Sequence, residues 1–112
     1  MSNAVARRLE SIQENSGISG RDVAQLLDTT PQTVSRWRTG QSSPQPRHLE
    51  RLLTLEWLAS QLAAYYTSDE AKLWLFSPHP LLGGHRPADL IVERRTDEVL
   101  QLIDQLDSAS YI

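Results

Sequence analysis

The sequence predicts an all-α chain, and three observations carry that prediction. Apolar side chains recur three and four residues apart in segment after segment. Helix start signals stand at Ser19, Thr30, Thr67 and Thr96, each ahead of such a run. Stop signals stand at Gly17, Gly40 and Pro78.

From Val5 to about Asn15, the side chains of Val5, Leu9 and Ile12 share one helical face, and Gly17 follows where a C-terminal glycine belongs. Ser2-Asn3-Ala4 ahead of this helix reads equally as a native start or as a cloning scar. Ser19 opens a second helix with Asp22 three residues on, the spacing of a capping box, and Val23, Ala24, Leu26 and Leu27 supply its buried face. Asp28-Thr29 leaves room only for a turn. The third helix is fully punctuated: Thr30 is its N-cap, Pro31 sits where a missing N–H costs nothing, and Gly40 accepts the left-handed conformation that ends it. Val34 and Trp37 face inward, while Gln32, Thr33 and Arg36 share the opposite face. Small Ala24 permits two helices to cross closely. Together the second and third helices form a helix-turn-helix whose second member suits the major groove.

Gln41–Pro46 is a loop by composition, and its hydroxyls with Arg47 suit either phosphate contacts or plain solvation. Residues 47–66 read as the longest helix: from Leu52 to Tyr66, eleven of fifteen positions are apolar or aromatic and Glu56 is the one charge. Such a helix is expected to be buried on more than one side, packing the helix-turn-helix on one face and the C-terminal half or a second copy on the other. Thr67 and Glu70 cap a short helix through Leu73, Trp74 and Phe76 that Pro78 stops. Prolines and the pair Gly83-Gly84 then enforce a turn, and Pro87 starts another short helix. Thr96 caps a last helix with Val99, Leu102, Ile103 and Leu106 on one face, and Ser108–Ile112 is a tail. The organisation expected is a helix-turn-helix region at 1–46, a long central helix at 47–66 and a C-terminal region at 67–112.

At 112 residues the chain makes one domain, or a small domain with an appendage. The net charge of −3 argues against coating nucleic acid through bulk electrostatics, so DNA binding must rest on a local patch. One exists. Residues 1–66 hold seven arginines against six acids, residues 67–112 hold four bases against eight acids, and Thr29–His48 holds three arginines and no acid. Gln32 and Arg36 are the base-contact candidates, because Gln pairs bidentately with adenine and Arg with guanine. Thr33 and Ser35 are placed on bases or backbone, and Arg21, Arg38 and Arg47 on phosphates. No secretory segment opens the chain, no run approaches the roughly 18 apolar residues of a membrane span, and there is no cysteine. A cytoplasmic location without membrane association is expected.

The run Ser19–Leu27, followed by Pro31-Gln32-Thr33-Val34-Ser35-Arg36-Trp37, Gly40 and Pro44, resembles the Xre or phage-repressor class of helix-turn-helix domains. Asp28 departs from it, standing where many members carry glycine; Asp tolerates a positive φ at some cost. In the second half, Trp74 followed by Leu82, Gly83, Gly84, Pro87, Asp89 and Leu90 resembles the C-terminal region of MbcA/ParS/Xre antitoxins, with its Leu-x-Gly-Gly-x-x-Pro-x-Asp-Leu pattern. That resemblance implies an antitoxin that binds and silences a RES-domain toxin that degrades NAD, its C-terminal end closing the toxin's active-site cleft. It implies toxin contacts from Trp74, Leu82, Gly83, Gly84, Arg86, Pro87, Asp89, Tyr111 and Ile112, and repression of the antitoxin's own operon through operator DNA. The tail lacks the glycine that many members place near the end. A homodimer and a larger toxin–antitoxin hetero-oligomer are expected, since dimerisation joins two reading heads across a palindrome.

Catalysis finds no support in the sequence. His48, His79 and His85 are dispersed, no helical His pair exists, and neither a metal nor another cofactor is called for. Ser77, His79 and Asp89 could be imagined as a triad, but the prolines and glycines around them read as turn chemistry. Gly83-Gly84 lacks the strand before it and the Lys-Ser/Thr after it that a phosphate loop needs. Two other readings stay open: a plain repressor dimerised by its second half, and an adaptor that uses both halves for protein contacts.

Overall fold

The computed structural model describes residues 3–109, and among them every regular element is helical. Seven α-helices follow in order: α1 (Ala4–Ser16), α2 (Gly20–Leu26), α3 (Pro31–Thr39), α4 (Pro46–Ala63), α5 (Ser68–Leu75), α6 (Pro87–Val92) and α7 (Thr96–Ala109). A single 3-10 turn, Pro80–Leu82, stands between α5 and α6.

Local chemistry explains where the helices start and stop. Ser19 and Asp22 form the reciprocal box at the start of α2, and Thr67 and Glu70 repeat it at α5. Thr30 Oγ1 accepts from the Thr33 N–H at 3.1 Å to open α3, and Gly40 closes it at φ 83°. Asp28 does take the left-handed conformation, φ 58°, and so turns the chain from α2 into α3 without a glycine.

Two features differ from the sequence reading. Helix α4 begins at Pro46 and stops at Ala63, leaving Tyr65 and Tyr66 in a turn with both N–H groups on the Leu62 carbonyl. The cause lies just ahead. Thr67 must be extended (φ −67°, ψ 168°) to cap α5, so the backbone leaves the helix before it. Thr96, in turn, is the first residue of α7 rather than the residue before it.

The core is continuous. Leu9 and Ile12 of α1 meet Trp37 of α3, Leu58 of α4, Leu75 of α5 and Ile103 of α7 in one buried cluster, each such side chain contributing about 1.5–3 kcal/mol. Helix α4 is central to that cluster, but it is not covered all round. Leu53 and Trp57 stay 38% and 46% exposed, so one stripe of the helix faces solvent.

Polar contacts tie the two halves. Lys72 of α5 lies 3.4 Å from Asp22 of α2, and within the first half Arg8 of α1 pairs with Glu56 of α4 at 2.5 Å. Arg51 of α4 holds the carbonyl ends of α2 and α6 together, as described below.

Candidate functional site

Helix α3 presents the first candidate surface. Val34 and Trp37 anchor it in the core, which turns Gln32, Ser35, Arg36 and Arg38 out to solvent and leaves Thr33 half-buried. Thr33 Oγ1 sits 2.9 Å from Thr30 Oγ1, so its hydroxyl is shared with the helix cap. Arg21 and Arg47 are exposed as well, and none of Arg21, Arg36, Arg38 and Arg47 makes an ion pair among the described residues. Unpaired guanidinium groups keep their full positive potential for an anionic partner. Gly20 makes room for one of them: a Cβ there would approach Arg38 Nη2 to 3.2 Å.

Two side chains outside the sequence-derived set fix this surface. Asn3 Oδ1 accepts from the Ala6 N–H at 2.7 Å and caps α1, while its Nδ2 lies 3.2 and 3.3 Å from the carbonyls of Trp37 and Arg38 at the end of α3. Arg51 Nη2 donates to Leu26 O at 2.7 Å and Ile91 O at 2.9 Å, and Nη1 to Leu27 O at 3.1 Å. Burial first, and then neighbouring Arg94, lower the Arg51 pKa, yet guanidinium remains charged at any physiological pH. A cleft of about 420 Å³ opens beside Arg51, and its charged lining is Arg47, Arg51 and Arg94 against Asp28, Glu50 and Asp97. Those charges balance, so the cleft favours neither anion nor cation.

The second candidate surface runs from α5 to α6. Trp74 is half-buried against the core, its ring 4.9 Å from that of His79 and tilted by 52°, and its carbonyl accepts from His79 Nε2 at 3.0 Å. Leu82 and Pro87 are buried. Gly83 and Gly84 both have positive φ, 65° and 82°, and let the chain return so that the His79 N–H reaches His85 O at 3.1 Å. Space is not the reason for Gly84, since an added Cβ would meet nothing within 4 Å; the conformation is.

Arg86 closes the unit. Its Nε and Nη2 donate to the two Asp89 oxygens at 3.0 and 2.6 Å, and its N–H donates to Asp89 Oδ2 at 3.2 Å, capping α6. These hydrogen bonds from Arg86 hold the Asp89 carboxyl below the usual carboxylate range. Arg86 also lies 6.0 Å from the centre of the Phe76 ring.

The structure thus gathers Trp74, Leu82, Gly83, Gly84, Arg86, Pro87 and Asp89 into one folded unit, in which most of them build the turn rather than project from it. Tyr111 and Ile112 lie outside the described residues. What does project is Leu73, 68% exposed, and Leu81, 71% exposed. Neither is in the family pattern. The available signal was that Ala71 and Leu75, four apart, mark one apolar face of the short helix and Leu73 falls opposite it. No group of His, Asp or Glu among the described residues is placed to hold a metal ion, and no described helix is long and apolar enough to cross a membrane.

Known proteins share this arrangement. Residues 4–66 match the helix-turn-helix domain family, and residues 61–108 match the antitoxin Xre/MbcA/ParS C-terminal toxin-binding domain. Over 110 residues the chain is 34% identical to the mycobacterial cidal antitoxin MbcA of Mycobacterium bovis, covering 98% of this chain and 97% of that protein. The MbcA of Mycobacterium tuberculosis strain H37Rv matches equally, and a probable mycobacterial cidal antitoxin of the same strain is 29% identical over 96 residues, 86% of this chain and 82% of that protein. A chain in the crystal structure of the M. tuberculosis MbcT–MbcA toxin–antitoxin complex superposes with a TM-score of 0.82 at 34% identity, covering 98% of this chain and 99% of that one.

Proposed function

Because the chain belongs to the MbcA/ParS/Xre-type antitoxins, its likeness to MbcA covering 98% of its length, we propose that it binds and inhibits a RES-domain toxin that degrades NAD. The observation that carries this reading is the end-to-end likeness to the antitoxin of a solved toxin–antitoxin pair, spanning both candidate surfaces. The 73–89 unit supplies the folded part of the toxin contact, and Tyr111 and Ile112 at the C-terminal end close the toxin's cleft. The pair acts in the cytoplasm, where NAD is consumed. As homologues are antitoxins, the chain acts by occupying a partner rather than by catalysis.

Helix α3 supplies a second activity, repression of the chain's own operon. Gln32 and Arg36 read base edges, Thr33 and Ser35 support them, and Arg21, Arg38 and Arg47 hold phosphates. One subunit neutralises few phosphates, so repression needs linked reading heads. The solvent-facing stripe of α4 suits a second copy of this chain: Leu53, Trp57, Ser60 and Ala64 follow 4-3-4 spacing without a charge, the spacing of a helix–helix seam. Toxin binding then assembles such dimers into larger hetero-oligomers.

Co-expression with the proposed RES-domain toxin tests the reading. Cellular NAD and growth are maintained when both proteins are made and collapse when the toxin is made alone. Equal NAD loss with and without the chain overturns it.

A further inference from the structure

We propose that Leu73 and Leu81 form the apolar anchor by which this chain grips its toxin, an inference that rests on the antitoxin reading above. They are the two most exposed large apolar side chains among the described residues. Neither is exposed by chance of composition. In α5, Ala71 and Leu75 are buried one turn apart; at about 100° per residue Leu73 lies roughly opposite both of them. Leu81 sits in the middle of the 3-10 turn, and because its neighbour Leu82 is only 9% exposed and fills the core, Leu81 is driven outward.

The scaffold under these leucines is fastened. Ser77 Oγ donates to Leu73 O at 2.5 Å, His79 Nε2 donates to Trp74 O at 3.0 Å, and the Gly84 N–H donates to His79 O at 3.0 Å. One hydrogen-bonded unit therefore carries both side chains. An apolar side chain carried on backbone that is already ordered in the free protein requires less ordering on binding, which favours it as an interface anchor.

The position of the pair selects the occupant. Both leucines fall within residues 61–108, the part of the chain that matches a toxin-binding domain, whereas Leu53 and Trp57 fall outside it. Charge agrees with this choice. Residues 67–112 carry eight acids against four bases. An apolar recess on a surface of net positive charge is the complement such a region selects.

Titration calorimetry of the full chain against its proposed RES-domain toxin tests the inference. Leu73→Ser and Leu81→Ser are each expected to weaken binding about tenfold or more, consistent with loss of an interface anchor. Gln13→Ser, on the exposed face of α1, is expected to leave it within about twofold. Both leucines are exposed, so thermal melting of the variants should match the parent. Hydrogen exchange on the unsubstituted complex gives a second readout: amides of residues 73–85 gain protection when toxin binds. Tight binding by the parent with unchanged affinity in both leucine variants and no added protection at 73–85 overturns the anchor while leaving the antitoxin reading intact. No binding by the parent chain overturns that reading and the anchor with it.

Discussion

Arg51 Nη2 donates to the carbonyl of Ile91 at 2.9 Å, and the same nitrogen donates to Leu26 at 2.7 Å. One side chain of α4 therefore caps the helix before the recognition turn and the helix that closes the 73–89 unit. Removing it takes the charge-assisted bonds from Leu26 O and Leu27 O at the end of α2, and leaves Ile91 O on the Arg94 N–H at 3.1 Å. Arg51→Met is expected to lower stability by about 2–4 kcal/mol in urea denaturation. Arg51→Lys should recover only part of this, because a point-like ammonium cannot span three acceptors as a planar fork does.

Asn3 gives a separable pair of effects. Its Oδ1 caps α1, whereas its Nδ2 reaches the last carbonyls of α3. Asn3→Ala removes both and should cost about 1–2 kcal/mol. Asn3→Asp keeps the acceptor and loses the donor, so it should retain the α1 cap while freeing the end of α3. Hydrogen exchange at residues 4–7 distinguishes them: both variants speed exchange at Trp37–Gly40, but only the alanine variant frays residues 4–7.

These two residues also mark where the sequence stopped being legible. Local punctuation was readable because caps act within three or four residues: the boxes at Ser19 and Thr67 form as their spacing requires, and Asp28 adopts the positive φ its position demands. Asn3 instead acts 34 residues away and Arg51 acts 25 and 40 residues away, distances at which no periodicity gives a sign. Asn3 had even read as a possible scar. The pattern Leu-x-Gly-Gly-x-x-Pro-x-Asp-Leu was visible, but not that Leu82, Pro87 and Asp89 chiefly hold the turn while Leu81 projects from it. Burial depends on what packs against a segment, which spacing alone does not name. Helix α4 packs on more than one side, against α1, α5 and α7, while for the same reason its spacing gave no sign of the open stripe at Leu53 and Trp57.

Operator binding should separate reading from holding. Arg36→Ala is expected to weaken specific binding by about 1–3 kcal/mol and relax preference at one base pair. Arg47→Ala should weaken binding to all sequences alike and reduce the salt-dependence slope by about 1. Fluorescence anisotropy with operator and scrambled duplexes at several salt concentrations measures both. Unchanged operator affinity removes Arg36 from the interface.

Stability should fall in two steps as pH is lowered. His48 packs 5.6 Å from Trp37, and burial, then Arg47 and Arg51, depress its pKa below the ordinary 6.5. The unfolded chain then takes up that proton first, so the His48 contribution is full above pH 6.5 and is lost as pH falls through its lower folded value. Below pH 3.8 a second loss follows. Burial raises the Asp22 pKa, but hydrogen bonds from Ser19 and the charge of Lys72 outweigh it, and Arg86 lowers Asp89, so both carboxylates stay ionised in the fold after the unfolded chain protonates. Chemical denaturation across pH should show His48→Gln abolishing the first step and sparing the second.

Deleting Ser110–Ile112 tests whether inhibition requires the C-terminal end. Among the described residues the last fully buried core side chain is Ile103, and the shortened chain is expected to melt as the parent does. If Tyr111 and Ile112 close the toxin's cleft, the truncated chain still binds toxin through the 73–89 unit but no longer protects NAD. Binding and neutralisation then come apart, which substitutions at Leu73 or Leu81 cannot produce because they weaken capture itself. Growth and NAD measured during co-expression, beside affinity measured with purified proteins, give the comparison. Full protection by the truncated chain would place inhibition in the folded unit and remove the tail from the mechanism.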